Sequence, residues 1–310
     1  MPRTQISKSE IRGIIVPLVT PFKGKYGVDL DLSVLTRLSN YLIEKGVHGL
    51  MPLGTSGEFG LVDKHERRLV VETVVKAASR RVPVIAGVSS SGTDNAIKLA
   101  QDSATAGADA MISTGPYYYR TSPEGLLLHF QSLLDAVDLP LMVYNIPGWA
   151  GYNIPAEVVK TLSDRNRGRV LGVKFTTNDL GEFLIYLRLL KHEMSIMIGS
   201  DALAFSALEL GAAGAVLGSA NALPEETVHI YESYMRENFE GARKAQERID
   251  PFTETMTLGT YPSALKVAMR MIGIDCGPVR RPLLPLSQDE TKSVEASIAW
   301  KINKKRKPTD

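Results

Sequence analysis

Lys174 is the residue whose type and position say most about chemistry. It interrupts the apolar run VLGVKF, where a lysine is costly unless it is used or paired. Burial disfavours the ammonium form, and a neutral amine is a nucleophile toward a carbonyl group. The position therefore suggests imine chemistry. A lysine paired with a buried carboxylate such as Asp201 is the alternative interpretation.

Hydroxyl groups occur in two other polar segments that follow apolar runs. Tyr144 begins YNIPGWAG and is a candidate proton donor or acceptor, or else a packing residue. The segment GTSGEFG offers the hydroxyls of Thr55 and Ser56 and successive backbone N–H groups in a glycine-flanked turn, which suit a small carboxylate. We interpret Glu58 in this turn as an acid at the start of a helix rather than as a catalyst.

A third segment, GPYYYR, places three adjacent tyrosines, Tyr117 to Tyr119, before Arg120. Adjacent aromatic side chains in a loop need partners that bury them. A subunit interface is the favoured interpretation for at least two of the three, and one phenol remains available to an active site.

These segments lie within a repeating pattern in which short apolar runs alternate with longer amphipathic ones. The pattern predicts eight strands: Gly13 to Thr20, His48 to Leu53, Val82 to Val88, Ala108 to Ser113, Pro140 to Asn145, Val170 to Phe175, Ser195 to Gly199 and Gly214 to Gly218. It also predicts eight helices between and after them: Leu32 to Glu44, Lys64 to Ala78, Asp94 to Ala106, Glu124 to Ala136, Pro155 to Leu162, Leu180 to Leu190, Asp201 to Gly211 and Pro224 to Arg236.

This alternation favours an α/β fold with a (β/α)₈ TIM barrel. Near-continuous apolar strands such as VPVIAGV require burial on both faces, which a parallel sheet covered by helices provides. A doubly wound open sheet is the rival, but it tends to open with a glycine-rich phosphate loop, and the chain contains no GxGxxG. In a barrel, ligands meet the carboxyl ends of the strands, where all the polar segments fall.

After Arg236 the alternation stops, and the rest of the chain reads as helices. We predict them at Glu240 to Phe252, Pro262 to Ile272 and Ser287 to Lys301. The predicted domains are a catalytic barrel over residues 1–236 and a helical region over 237–310. The charged end KINKKRKPTD is interpreted as a solvated tail.

Composition limits the possible partners. The hydrophobic fraction of 44% supports a large core, and the net charge of +2 is too small for the electrostatic footprint of nucleic-acid binding. The single cysteine, Cys276, has no internal disulfide partner, and the five histidines lack ligand spacing. The chain shows neither a signal-peptide pattern nor the roughly 20 apolar residues that span a bilayer. We expect a cytoplasmic protein without metal, nucleic-acid or membrane partners.

In their order and spacing, GTSGE, PYYYR, YNIP and GVKFT resemble the dihydrodipicolinate synthase and N-acetylneuraminate lyase family of pyruvate-dependent class I aldolases. The likeness runs from VPLVTPF to PSALKVAMRMIGI and VRRPLLPLS. It implies a barrel with a C-terminal helical region, usually a homotetramer. It also implies an active-site lysine that forms an imine with pyruvate or a similar 2-oxo acid, without a separate cofactor.

The resemblance also assigns roles within the site. Lys174 matches the imine-forming lysine, and Tyr144 matches a tyrosine that relays protons. Thr55 and Ser56, with Gly57 in the same turn, match the residues that bind the pyruvate carboxylate, and Thr55 also joins the relay.

Three further assignments by resemblance concern the edges of the site. Tyr118 matches a tyrosine that synthase-type members donate across a subunit interface, and Val216 falls where a backbone carbonyl faces the nucleophile. Trp149 stands where lysine-biosynthetic synthases typically have an arginine that binds the second substrate's carboxylate. An indole does not neutralise a carboxylate. Arg120 is the cation that could substitute.

The resulting prediction is a Schiff-base lyase that makes or breaks a carbon–carbon bond, or dehydrates, in the manner of a 2-keto-3-deoxy sugar acid aldolase. Dihydrodipicolinate synthase and N-acetylneuraminate lyase are alternatives. A catalytically silent barrel that binds a 2-oxo acid is the alternative from another class. A metal-dependent barrel lyase would need clustered carboxylates and histidines at the strand ends. The sequence shows no such cluster there, which disfavours this alternative.

Overall fold

Eight parallel strands form a ring in the computed structural model, which describes residues 6–306. They are Gly13–Pro17, Gly49–Met51, Ile85–Gly87, Ala110–Thr114, Leu141–Asn145, Val170–Phe175, Ser195–Ile198 and Gly214–Val216. The first strand pairs with the last. A bridge between Leu50 and Val84 joins the second and third. The predicted barrel is confirmed with all eight strands, most of them shorter than predicted.

Helices cover the outside of the ring. They are Leu32–Glu44, Lys64–Ala78, Thr93–Thr105, Pro123–Ala136, Ala156–Arg165, Leu180–Leu190, Ala204–Glu209 and Pro224–Met235. Side-chain caps start several of them. The Asp31 carboxylate accepts the Val34 N–H at 3.1 Å, and Asp63 forms a reciprocal capping box with Glu66. Such caps satisfy backbone donors that have no partner within the helix.

The helix predicted from Asp201 to Gly211 is wrong in its first turn. Residues Asp201–Leu203 form a 3₁₀ turn, and the helix follows as Ala204–Glu209. The Asp201 carboxylate accepts the N–H groups of Gly218 at 3.3 Å and Ser219 at 2.8 Å. This side chain is therefore committed to the loop after the last strand instead of capping its own helix.

Four helices follow the barrel: Phe239–Thr255, Ser263–Met271, Gln288–Ser297 and Ala299–Arg306. The single helix predicted from Ser287 to Lys301 is divided at Ile298, which has φ −117° and ψ 13°. Ile298 is buried, and Lys301 Nζ contacts Glu226 of a barrel helix at 2.7 Å, so the chain turns to dock against the barrel. Part of the predicted charged tail, residues 307–310, lies outside the described residues, as do residues 1–5.

Several small elements had no sequence prediction. Phe22–Lys23 and Asp29–Leu30 form an antiparallel pair, and Pro147–Ala150 forms a four-residue helix. The remaining 3₁₀ turns are Lys8–Glu10, Phe59–Leu61 and Ser219–Asn221. None of the helices within residues 6–306 is both long and apolar enough to cross a membrane.

The core has two layers. Side chains between the strands and the helices form the larger cluster. A smaller cluster fills the barrel interior and includes Ile15, Met51, Ile112, Met142, Tyr144, Leu171, Met197 and Val216. The interior is thus packed with side chains, as in other barrels of this type.

Candidate active site

Lys174 lies inside the barrel near the end of the sixth strand and is 4% exposed. The strand contains a bulge: Leu141 pairs with Val170 and Met142 with Gly172, so Leu171 has no partner in that register. Val173 and Phe175 then face the outer core, while Lys174 faces inward. Bulges near active sites re-aim side chains in this way.

Tyr144 lies beside Lys174 on the fifth strand. The two residues are direct partners in the parallel register, and Lys174 Nζ lies 4.0 Å from the centre of the Tyr144 ring. The Tyr144 hydroxyl lies 3.2 Å from Thr55 Oγ1. The structure therefore brings together the three side chains to which the sequence assigned imine formation and proton relay.

Ser56 has a partner that the sequence analysis missed. Its Oγ lies 2.6 Å from the hydroxyl of Tyr261, in the loop between the helices Phe239–Thr255 and Ser263–Met271. Burial raises the pKa of Tyr261. The motif GTYP lies in an irregular loop between two helices, so it carries no periodic pattern from which its position could be predicted.

These residues line a cavity of about 630 Å³ at the carboxyl ends of the strands. Its lining includes Lys174, Tyr144, Thr55, Ser56, Trp149, Val216 and Tyr261, together with Thr176, Asn178, Ser200, Asp201, Thr253, Glu254, Thr257 and Thr260. A second, mostly apolar space of about 280 Å³ adjoins it and shares Thr55, Ile146, Trp149, Thr260 and Tyr261. The location matches the usual ligand site of a barrel.

The wall next to Lys174 is polar and tightly spaced. Thr176 Oγ1 is buried without a hydrogen-bond partner in the described structure and faces Gly199. A methyl group on Gly199 would lie 3.0 Å from Lys174 Cε, so glycine keeps this space open. Desolvation raises the pKa of Asp201, although hydrogen bonds from Ser219 and the charge of Lys174 act in the opposite direction.

Glu58 stands at the start of the 3₁₀ turn Phe59–Leu61, as predicted, but its side chain caps no backbone group there. It forms a buried ion pair instead: its Oε1 lies 2.7 Å from Lys266 Nζ, and its Oε2 accepts the Arg280 N–H at 2.7 Å. The N–H of Gly57 donates to the Gly54 carbonyl at 3.0 Å. Thr55 and Ser56 are the residues of this turn that line the cavity.

The other predicted site residues lie at different distances from the cavity. Val216 and Trp149 line it, and the Trp149 ring centre lies 6.2 Å from that of Tyr261. Tyr118 is 86% exposed, with a positive φ of 80°. Arg120 is also exposed and is not part of the cavity lining. Within one subunit, these last two residues are not brought to the site.

A (β/α)₈ barrel with a buried lysine, a facing tyrosine and a hydroxyl-bearing turn at its ligand end defines a class of proteins, the lyases that hold a carbonyl substrate as an imine. The chain belongs to the dihydrodipicolinate synthetase family, whose model matches residues 10–301. The family resemblance expected from the sequence is confirmed, and the chain is an enzyme of the Schiff-base lyase type.

Relatives of known sequence and structure span nearly the whole chain. A 4-hydroxy-tetrahydrodipicolinate synthase of Thermodesulfovibrio yellowstonii is 34% identical over 278 residues, covering 89% of this chain and 94% of its own. An uncharacterised DapA-like lyase of Halobacterium salinarum is 33% identical and covers 93% of each chain. The structure of YagE from E. coli in complex with pyruvate has a TM-score of 0.88 at 28% identity, covering 94% of this chain and 99% of its own.

Proposed function

We propose that Lys174 forms an imine with pyruvate or another 2-oxo acid, and that the enzyme cleaves or forms a carbon–carbon bond in 2-keto-3-deoxy sugar acids. The observation that carries the proposal is the buried amine of Lys174, 4.0 Å from the centre of the Tyr144 ring, in a cavity whose turn supplies the Thr55 and Ser56 hydroxyls. That turn suits the carboxylate of a 2-oxo acid.

In the cleavage direction, the Lys174 amine adds to the carbonyl carbon of the 2-oxo acid and water leaves, which gives an imine. A base then removes the proton of the hydroxyl on the carbon beyond the adjacent methylene. The bond between those two carbons breaks, its electron pair enters the imine, and an aldehyde leaves. Protonation of the resulting enamine and hydrolysis of the imine release pyruvate and the free amine.

Tyr144 is the proposed proton carrier for these steps. Its hydroxyl can take the proton from the substrate hydroxyl or return one to it, and Thr55, 3.2 Å away, extends the relay. The backbone carbonyl of Val216 is proposed to face the nucleophile. The imine itself is the electron sink, so the proposed chemistry requires no further cofactor.

The charges in the cavity favour a neutral, hydroxylated aldehyde as the second substrate. Among the lining residues, all of which lie in the described part of the chain, Lys174 is the cation, while Asp201 and Glu254 are acidic. Thr176, Asn178 and Ser200 supply neutral polar groups. The carboxylate of aspartate semialdehyde would find no cation here besides the imine-forming lysine, so synthase activity is the less favoured alternative.

Borohydride trapping tests the imine. Reduction in the presence of pyruvate, followed by intact mass measurement and peptide mapping, is expected to show one pyruvate-sized adduct on Lys174. Lys174→Ala should lose the adduct and the activity while keeping its fold. Lys98→Ala, which removes an exposed lysine, should keep the adduct and the activity. An adduct elsewhere would contradict the proposal.

Substrate assays test the acceptor and separate the silent-barrel alternative. Wild-type enzyme with pyruvate is expected to consume glyceraldehyde and other short hydroxyaldehydes faster than aspartate semialdehyde or N-acetylmannosamine. Preference for aspartate semialdehyde would identify a synthase and overturn the acceptor assignment. An adduct on Lys174 without turnover of any aldehyde would identify a binding protein.

We further propose a cytoplasmic homo-oligomer, either a dimer or a tetramer, in which Tyr118 reaches the active site of a neighbouring subunit. The exposure of Tyr118 and Tyr119, 86% and 76%, supports association, because adjacent exposed aromatics are typical of interfaces. The buried thiol Cys276, the chain's single cysteine, is compatible with a reducing compartment. We also propose a domain boundary between residues 236 and 237, which separates the catalytic barrel from the C-terminal helical region.

A further inference from the structure

We infer that Tyr261 is a positioning residue of the imine site, which orients the Ser56 hydroxyl toward the carboxylate of the 2-oxo acid. The inference rests on the proposed function, since it assumes that Ser56 binds this carboxylate. It adds a residue from the C-terminal helical region to a site that the sequence placed entirely on the barrel.

The contact between the two hydroxyls is close and well supported. Tyr261 Oη lies 2.6 Å from Ser56 Oγ, a distance typical of a strong O–H···O hydrogen bond. The Tyr261 ring packs edge-on against Trp149. A methyl group on Gly218 would lie 2.7 Å from Tyr261 Oη, so the glycine leaves room for this hydroxyl.

The donor in this hydrogen bond follows from the chemistry of the two groups. A phenol is more acidic than an aliphatic hydroxyl and is the better donor, and burial together with the nearby Asp201 keeps Tyr261 protonated. Tyr261 therefore donates to Ser56 Oγ. The proton of Ser56 is then free to point into the cavity, where a carboxylate accepts it.

The segment 261–266 also contacts the GTSGE turn at Glu58. Lys266, five residues after Tyr261, forms the buried ion pair with Glu58. Residues 261–266 thus contact the turn at Ser56 through a hydroxyl and at Glu58 through a charge. A turn held by two contacts from one segment is supported in the way that a ligand-binding element requires.

The test is a double-mutant cycle on Tyr261→Phe and Ser56→Ala. The rate of borohydride trapping is measured against pyruvate concentration, which separates the half-saturating concentration from the maximal rate. Either single variant is expected to raise the half-saturating concentration roughly 3- to 10-fold, the effect of one lost hydrogen bond, with little change in the maximal rate. In the Ser56→Ala background, Tyr261→Phe should add nothing, because its effect passes through Ser56.

The matched control is Tyr231→Phe, which removes a phenol packed against His48 at the opposite end of the barrel. It should match the wild type. The inference would be overturned if the effects of Tyr261→Phe and Ser56→Ala were additive, or if Tyr261→Phe had the same half-saturating pyruvate concentration as the wild type. Either result would leave the proposed function intact. Failure of the wild type to trap either pyruvate or a 2-keto-3-deoxy sugar acid would overturn the proposed function as well. If Tyr261→Phe lowers the unfolding midpoint, Tyr261→Met provides a second deletion of the phenol for the same cycle.

Discussion

Lys174 has a carboxylate neighbour in Asp201, and the geometry argues against a purely structural ion pair between them. Both Asp201 oxygens accept backbone N–H groups, from Gly218 and Ser219, so this carboxylate has hydrogen-bond partners other than the lysine. The Lys174 amine lies over the Tyr144 ring instead, with Nζ 4.0 Å from the ring centre. A buried amine beside an aromatic face and a ligand cavity is better placed for attack on a carbonyl than for pairing.

Replacing Tyr144 by phenylalanine is expected to lower kcat on the order of 10²-fold or more, because the proposed proton transfers lose their carrier. Formation of the imine with pyruvate should survive to a larger extent, since Lys174 is unchanged. Steady-state turnover and borohydride trapping on the same protein sample would separate the two effects. Tyr41→Phe, on the barrel helix Leu32–Glu44, is the control, and a near wild-type kcat for Tyr144→Phe would make Tyr144 a packing residue.

The sequence predicted the positions of individual residues in the fold where a local pattern constrained them. Lys174 and Tyr144 stand out because they interrupt or end apolar strands whose ends meet at one edge of a barrel. Tyr261 lies in an irregular loop far along the chain, and its proximity to Ser56 depends on how the last helices dock. The ion pair of Glu58 was not predicted, because no local pattern shows that Lys266 will reach it.

The orientation of Lys174 is decided at the level of its strand. The bounds of the strand Val170–Phe175 were predicted correctly, but the bulge at Leu171 was not. The bulge leaves both Leu171 and Lys174 on the interior side, which simple alternation does not allow. The extra residue follows from pairing with the fifth strand, which is a tertiary effect, so no local pattern reports it.

Element existence was easier to predict than element ends. The helices Leu32–Glu44, Lys64–Ala78 and Leu180–Leu190 have the predicted bounds, because apolar periodicity and capping residues agree there. The two-residue strands of the hairpin are too short to show periodicity. The break at Ile298 interrupts a continuous helical pattern, because the docking of Lys301 on Glu226 sets the path of the chain.

The packing of two barrel helices predicts a loss of stability in acid. His129 of the helix Pro123–Ala136 is buried against Thr93 of the helix Thr93–Thr105, with Nδ1 3.0 Å from Thr93 Oγ1, and desolvation lowers its pKa to about 4. In the unfolded chain the ordinary pKa is about 6.5. Between these values the unfolded state binds more protons, so the free energy of unfolding falls as the pH drops from about 6.5 toward 4, by up to about 3 kcal/mol.

Denaturant unfolding at a series of pH values would measure this dependence. The His129→Gln variant is expected to be less stable at neutral pH but to lose less stability between pH 6.5 and 4. His65→Gln, at an exposed position, should retain the wild-type slope. Equal slopes for the wild type and His129→Gln would show that other groups carry the acid sensitivity.

At the scale of the whole molecule, the barrel and the C-terminal region line one cavity. Thr253, Thr257, Thr260 and Tyr261 line the cavity from beyond the proposed boundary at residues 236 and 237. Lys266 and Lys301 attach this region to the barrel through Glu58 and Glu226. The boundary separates two kinds of architecture, and the candidate site includes residues from both.

The exposed tyrosines predict the behaviour of the assembly. The Tyr118 and Tyr119 rings make a T-shaped, edge-to-face contact, with ring centres 5.1 Å apart. Both rings are exposed to solvent in the single subunit. Burial of a tyrosine pair at an interface gains apolar area at a small cost in side-chain entropy. Tyr119→Glu would place a charge in that interface and is expected to shift the sedimentation coefficient toward the monomer at micromolar concentration.

Activity should follow assembly if Tyr118 reaches a neighbouring site. The specific activity of Tyr119→Glu is therefore expected to rise with protein concentration as subunits associate, while Tyr118→Phe should assemble normally and lose turnover. Tyr26→Glu changes another exposed tyrosine and should leave both assembly and activity at the wild-type level. A wild-type chain that sediments as a fully active monomer would contradict the shared site, and would require the cavity of one subunit to supply every group that the reaction needs.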